Sequence, residues 1–348
     1  MSTRPTPELP DDAEDPPEVF TASAENRRGG RPAGKLDERR CSVRARIRGE
    51  SPVGTAAPAL RWVLIEQAGP WGRNALTQSK FDTAVAPRLA QRARAEGVRL
   101  LLVRRPDSRA GESQGRWAYV DGRAAGRGAW WSTRSSDAEI ADSPWDGTVG
   151  ERSDGPTYLV CSHGGHDACC ALRGRPLARG LQEQGADVWE CSHLGGDRFS
   201  PNVLVLPLGF YYGQVAGDGA ELLAAHARDE VDLSCLRGRA GLAPAVQAAQ
   251  DEARHYLDRY GVEDLPPRSA TRLTPLGADI ELWAVTLVDR AAEGRQDVVV
   301  VVQGRPSRKS YELTCSATHE AHFRVWESVS ISTARPAPGG ERPTVLSG

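Results

Sequence analysis

Lysine is nearly missing from this chain: of 44 basic residues only Lys35, Lys80 and Lys309 are lysines, and the rest are arginines. Acidic residues number 46, so the net charge is −2. No block of basic residues with interleaved aromatics occurs. That balance gives no electrostatic footprint for a nucleic acid. The arginine, alanine and glycine excess, with a single methionine, reads instead as the codon bias of a GC-rich genome. Long apolar runs are also missing. The longest aliphatic run is Val298 to Val302, far short of the ~20 residues of a membrane helix. The opening MSTRPTPELPDDAEDPP has no apolar stretch of the kind a secretory leader carries. A chain with neither span nor leader is expected in the cytoplasm. An even set of cysteines is lacking too. There are seven, at 41, 161, 169, 170, 191, 235 and 315, and an odd number without a leader argues against a disulfide framework.

What is present is an ordinary globular composition. Hydrophobic residues make up 39%, and 36 glycines add to the apolar share, which excludes a wholly disordered chain. The 348 residues suit two or three domains. Residues 1–55 are rich in Pro, Glu, Arg and Gly, bury too little to offset chain entropy, and are expected to be a disordered tail, with Cys41 near the onset of order. Residues 332–348 are expected to be a second tail. Between them, 56–150 read as a first α/β unit: a strand at 62–65, a loop Gly69-Pro70-Trp71-Gly72, a helix over 79–96 with Gly97 as its cap, a strand over 98–103, and a strand pair near 117–120 and 129–132. Residues 151–232 repeat that plan: a strand at 158–161, a helix over 170–184 stopped by Gly185, a strand over 187–191, a strand pair at 202–206 and 210–215, and a helix over 219–229. Aligning the two copies sets Glu66 opposite Cys161 and Arg105 opposite His193, which suggests a degenerate duplication. Residues 233–331 read as an α+β extension: a helix over 244–260, then strands near 280–288, 298–303, 311–315 and 322–331.

The chemistry gathers in one window. Cys161-Ser162-His163-Gly164-Gly165-His166-Asp167-Ala168-Cys169-Cys170 precedes Cys191-Ser192-His193-Leu194-Gly195-Gly196-Asp197-Arg198-Phe199. Four of the seven cysteines and three of the seven histidines fall between 161 and 193. Thiolates suit zinc and iron–sulfur clusters, and imidazole suits iron and zinc. Cys161 ends a strand and Cys170 opens a helix, where the dipole favours thiolate charge. The glycines let backbone approach a bulky inorganic group. Cys41, Cys235 and Cys315 lie far from the window and read as unliganded. The loop at 69–72 reads as structural, with Trp71 able to cover the site.

From about residue 41 to 331 the sequence resembles the sucrase/ferredoxin-like family. The resemblance is carried by Gly54-Thr55-Ala56, Glu66 to Arg73, Asp167 to Ala171, Ser192 to Phe199 with Asn202, Leu206-Pro207, Tyr212-Gly213, Arg237-Gly238-Arg239 and Val246 to Ala249. It implies a thioredoxin-like ferredoxin domain at 151–232. It also implies a [2Fe–2S] cluster bound by two cysteines with eight residues between them and two histidines with three residues between them. Cys161 and Cys170 match the cysteines and His193 the first histidine. Asp197 stands at the second histidine position. The fourth ligand is open between Asp197 and Cys191, with Cys169, His163 and His166 behind them.

The expected function is therefore one-electron transfer or redox sensing with a protein redox partner, rather than stand-alone catalysis. No catalytic residue is assigned, and no carboxylate pair stands out for glycoside hydrolysis. The alternatives are a structural zinc module, since zinc accepts Cys2His with Asp or water, and a thioredoxin-like thiol enzyme. The latter is disfavoured because no C-x-x-C occurs. No G-x-G-x-x-G follows a strand, so no nicotinamide or flavin module is expected.

Overall fold

The computed structural model describes residues 38–334, apart from 107, 109–112, 275–276 and 278. It begins with α1 (Cys41–Ile47), then β1 (Arg61–Glu66), α2 (Ala75–Gln78), α3 (Ala86–Glu96), β2 (Arg99–Arg104), β3 (Arg116–Asp121), β4 (Gly128–Thr133) and α4 (Asp137–Asp142). A second series follows: β5 (Glu151–Arg152), β6 (Thr157–Cys161), α5 (Ala168–Glu183), β7 (Val188–Cys191), a 3-10 turn at Asp197–Phe199, β8 (Asn202–Leu206), β9 (Phe210–Gly213) and α6 (Ala220–Ala227). The chain ends in β10 (Leu236–Arg239), α7 (Pro244–Leu257), β11 (Pro267–Leu273), β12 (Glu281–Asp289), β13 (Gln296–Pro306) and β14 (Arg324–Ala334). This is a mixed α/β architecture.

Ten strands form one sheet in the order β10-β9-β8-β6-β7-β2-β1-β3-β4-β5. Its interior strands β1 and β6 read as near-continuous apolar runs, because both faces of a central strand are covered. The two halves pass through the same pairings. β1 is parallel to β2 and antiparallel to β3, which pairs with β4. β6 is parallel to β7 and antiparallel to β8, which pairs with β9. The halves join where β2 meets β7 antiparallel, at Val103 with Cys191 and Arg104 with Glu190. One apolar cluster runs along a face of both halves, from Trp62, Leu64 and Val103 to Leu159, Trp189 and Leu204. The remaining faces are covered separately, by α3 and α4 on the first half and by α5 and α6 on the second.

A second, four-stranded antiparallel sheet, β11-β12-β13-β14, packs on α7. Strand β13 alternates buried and half-buried positions over its central residues, so Val298, Val300 and Val302 face Ala245, Ala249 and Ala253 of the helix. Strand β10 belongs to the large sheet through β9.

Several boundaries differ from the sequence reading. The helix expected over 79–96 starts at Ala86, because the ring of Pro87 would clash with the carbonyl four residues earlier in a longer helix. The Asp82 side chain instead closes a turn onto the Ala84 amide. Residues 38–55 belong to the segment expected to be a tail, yet α1 buries Cys41, Ser42 and Ala45. Just after it, the Glu50 carboxylate is buried against Arg198 and Arg48. Cys41, Ser42 and Ala45 share the buried face of this short helix, whereas Ile47 is exposed. Residues 1–37 and 335–348 lie outside the described residues. The strand expected over 311–315 is a loop touched by a single bridge, Tyr311 with Ala321. Among the described residues, no helix is long and apolar enough to cross a membrane.

Candidate metal centre

Cys161 is the last residue of β6 and lies beside Cys191, its register partner at the end of β7. The chain then loops through 162–166 and enters α5 at Asp167, whose carboxylate caps the helix by accepting from the Cys169 amide at 2.8 Å. This loop sits hard against the Gly69–Gly72 loop of the first half. His163 Nε2 is 2.8 Å from the Gly72 carbonyl, and Trp71 meets the His163 ring edge-on at 5.8 Å. A Cβ at Gly165 would stand 1.9 Å from the Gly72 carbonyl oxygen, so glycine is required there by close backbone approach. Trp71 thus packs on the histidine loop.

On the other side, the chain leaves β7 through His193 and turns at Gly195 and Gly196 into the 3-10 turn that begins at Asp197. Buried Arg237 of β10 holds this turn. Its guanidinium donates to the Gly195 carbonyl and to Asn202 Oδ1, each at 2.9 Å, and to Thr55 Oγ1 at 3.0 Å. Asn202 Nδ2 donates to the Gly196 carbonyl at 2.9 Å. Gly196 has φ +74°, and a Cβ there would run into the Arg237 guanidinium. From the first half, Arg99 donates to the His193 carbonyl at 2.8 Å. Thr55, Asn202 and Arg237 were visible only as scattered points of family resemblance; folded, they form one clamp on the His193–Asp197 turn.

These two loops bring Cys161, Cys170, His193 and Asp197 together. The Cys170 thiol donates to Asp197 Oδ1 at 3.2 Å, and His193 Nδ1 lies 3.1 Å from the same oxygen. His166 completes the group: its Nε2 is 3.7 Å from Asp197 Oδ2, and its ring packs on that of His193 with centroids 3.8 Å apart. His166, His193 and Asp197 each offer a ligand atom within 4.8 Å of the others. Asp197 is almost wholly buried, whereas the two imidazoles are about a third exposed. Sulfur therefore lies inward and nitrogen outward.

The electrostatics fit a cation-binding pocket. The neighbouring Cys170 thiol holds the Cys161 thiol well below its usual value, helped by His193 and the Leu194 amide and opposed by burial. Cys170 is pushed up, because it keeps the proton that Cys161 gives up and is itself buried. Burial opposes charge on His193, but the Asp197 carboxylate and the Cys161 thiolate outweigh it and push the pKa up to about 9. Burial also raises Asp197, and His193 with Cys170 more than compensates, leaving it low. His193 Nδ1 is buried without an aligned hydrogen-bond partner. A buried imidazole nitrogen of that kind, beside two soft sulfurs and a carboxylate, is a donor set that suits iron or zinc.

The other candidates differ in their surroundings. Cys191 is fully buried beside Cys161, in the apolar cluster with Leu159 and Trp189 that Cys161 and Cys170 also join, and burial raises its thiol well above the usual value. Cys169 turns away from Cys170 toward Cys41 and Cys315, two residues that sequence position had set aside. Cys235 donates to Asp232 at 3.2 Å. His163 is engaged by Gly72, and His166 stands closer to the group than its place in the sequence suggested.

Residues 52–238 match the family model described as Sucrase/ferredoxin-like, and the chain belongs to that family. The match spans both halves of the large sheet and stops within β10 at Gly238, one residue after the clamping arginine. No curated protein and no solved structure matches the chain.

Proposed function

We propose that this protein is an iron–sulfur protein whose role is one-electron transfer or redox sensing in the cytoplasm, working with a protein redox partner. The observation that carries the reading is the convergence of Cys161 and Cys170 with His193 and Asp197 inside a Sucrase/ferredoxin-like domain. A [2Fe–2S] cluster, when bound, supplies reversible one-electron chemistry. The chain's part is to present Cys161 from a strand end and Cys170 from the first turn of α5, where the helix dipole favours sulfur-borne negative charge. His193 and Asp197 would be the remaining ligands, with His166 packed on His193. Arg237 and Asn202 fix the turn that carries them. Trp71 and the 69–72 loop shield the inner side, and the partly exposed imidazoles leave the outer side open to a partner. The strand pairings within 151–232 agree with a thioredoxin-like ferredoxin unit, and the same pairings in 56–150 support descent of the two halves from one duplicated unit.

Anaerobic purification followed by iron and acid-labile sulfide analysis, absorption and electron paramagnetic resonance tests this. The expected result is about two irons and two sulfides per chain, the composition of such a cluster, with colour lost in Cys161→Ser and Cys170→Ser. Asp197→Ala should alter the spectrum, and Cys191→Ser should leave it unchanged. A colourless protein that takes up no iron and sulfide on anaerobic reconstitution would sink the reading.

A further inference from the structure

Cys169, Cys41 and Cys315 come from three distant parts of the chain, and their sulfurs form a closed triangle. Cys41 Sγ is 3.7 Å from Cys169 Sγ, Cys169 Sγ is 3.4 Å from Cys315 Sγ, and Cys315 Sγ is 3.5 Å from Cys41 Sγ. Asp167 closes the fourth corner, with its two carboxylate oxygens 3.8 and 3.7 Å from Cys41 Sγ. The carboxylate is oriented by two backbone amides: Oδ1 accepts from Cys169 at 2.8 Å and Oδ2 from Cys315 at 2.7 Å. Each residue can turn one ligand atom toward a common centre, all within 4.8 Å of one another.

We propose that Cys41, Cys169, Cys315 and Asp167 hold a zinc ion, in a site separate from the Cys161–Asp197 group. A tetrahedral zinc thiolate centre with Zn–S of about 2.3 Å sets its sulfurs roughly 3.8 Å apart. The triangle already has edges within a few tenths of an ångström of that. Disulfide sulfurs would be about 2 Å apart, and all seven cysteines are free thiols. Three sulfurs packed this tightly surround a single ion rather than the separated metals of a cluster. Three thiolates and one carboxylate oxygen make the soft-weighted, four-coordinate set that zinc accepts. Without a cation, like charges this close oppose one another's ionisation; a divalent ion removes that conflict. Cys41, Cys169 and Asp167 are buried and Cys315 is half-buried, so the ion would enter from the side of the 307–323 loop.

The site explains why a short helix of mostly arginine and small residues is part of the fold. The ion would tie the start of α1, the start of α5 and the loop between β13 and β14 to one point. The family match begins at residue 52 and ends at 238, so Cys41 and Cys315 both lie outside it. Adjacent residues of one helix start, Cys169 and Cys170, would then serve two different metals.

The test uses the full-length protein purified without chelators, with zinc and iron counted separately by mass spectrometry. About one zinc per chain is expected, lost in Cys315→Ser and in Cys41→Ser while iron at the other site is retained. If those variants do not fold, the wild-type protein decides. Cobalt substitution should give thiolate-to-cobalt charge transfer with tetrahedral ligand-field bands. Alkylation mapping should show Cys41, Cys169 and Cys315 protected until a chelator is added. Zinc that survives Cys315→Ser and is lost in Cys170→Ser would place the ion at the other site and overturn the proposal. So would a wild-type protein that neither contains nor takes up zinc, or whose mass shows two of the three sulfurs oxidised to a disulfide. Absence of iron with zinc retained at Cys315 would count against the cluster reading alone.

Discussion

His226 on α6 is packed among Tyr158, Phe210 and Tyr212, and its Nε2 lies 2.9 Å from the Tyr212 hydroxyl. Burial disfavours its charged form and lowers its pKa from 6.5 to about 4, despite Asp229 and Asp232 nearby. The sign of the linkage follows. Above about 6.5 both folded and unfolded chains carry a neutral ring, and its contribution is fully present. As pH falls from 6.5 toward about 4 the unfolded chain takes up a proton that the folded chain resists, so stability is lost. The wild type should therefore lose more melting temperature across that window than His226→Gln, whose amide still reaches Tyr212. Equal acid sensitivity in the two proteins would show that the ring does not stay neutral in the fold. Nothing in the sequence around 226 marks this histidine; its environment comes from β6 and β9.

The 162–167 loop and the 69–72 loop illustrate how elements position chemistry. Each follows the first strand of its half, and they touch because β2 and β7 set the halves side by side. Gly165 is where the contact is closest. Gly165→Ala should push the loops apart and cost about 1–3 kcal/mol by overpacking, read as a lowered denaturation midpoint. Because His163 and His166 ride on this loop, the change should also loosen any metal held by His193 and Asp197. A midpoint within error of wild type would mean the 69–72 loop yields freely. The strand–loop–helix plan of both halves could be read from apolar runs and from Gly97 and Gly185. The loop-to-loop contact could not, because nothing local in either segment specifies its partner.

Across the whole molecule, the join between the halves is a short antiparallel pairing backed by a shared apolar cluster. Arg104 of β2 sits there, largely buried. It reaches Glu190 of β7 at 2.7 Å, donates to the Gly69 carbonyl at 2.7 Å and lies 4.3 Å over the Trp71 ring. Removing the carboxylate would leave a buried guanidinium without its counter-charge. Glu190→Ala should cost about 3–5 kcal/mol, the range for breaking one side of a buried ion pair. It should lower the midpoint of a single transition rather than split it, since the apolar cluster still spans both halves. Tryptophan fluorescence and far-ultraviolet circular dichroism should report coincident curves in both proteins. Separate transitions for the two probes would show that the halves are independent folding units.

By itself the sequence determined the α/β class, most strands of the large sheet, the two helix-ending glycines and the window from Cys161 to Asp197 where sulfur and imidazole collect. These are consequences of local periodicity, turn chemistry and residue type. It also carried the family's motifs. Only the tertiary structure decided that Asp197 faces Cys170 and His193, that Cys191 lies beside Cys161, and that His166 packs on His193. Only it could place Thr55, Asn202 and Arg237 on one turn, or bring Cys41 and Cys315, 274 residues apart, to adjacent sulfurs. A ligand shell is assembled from chain segments whose separation in sequence has no bearing on their separation in space. Their meeting is dictated by sheet order and by the faces that the strands and helices bury.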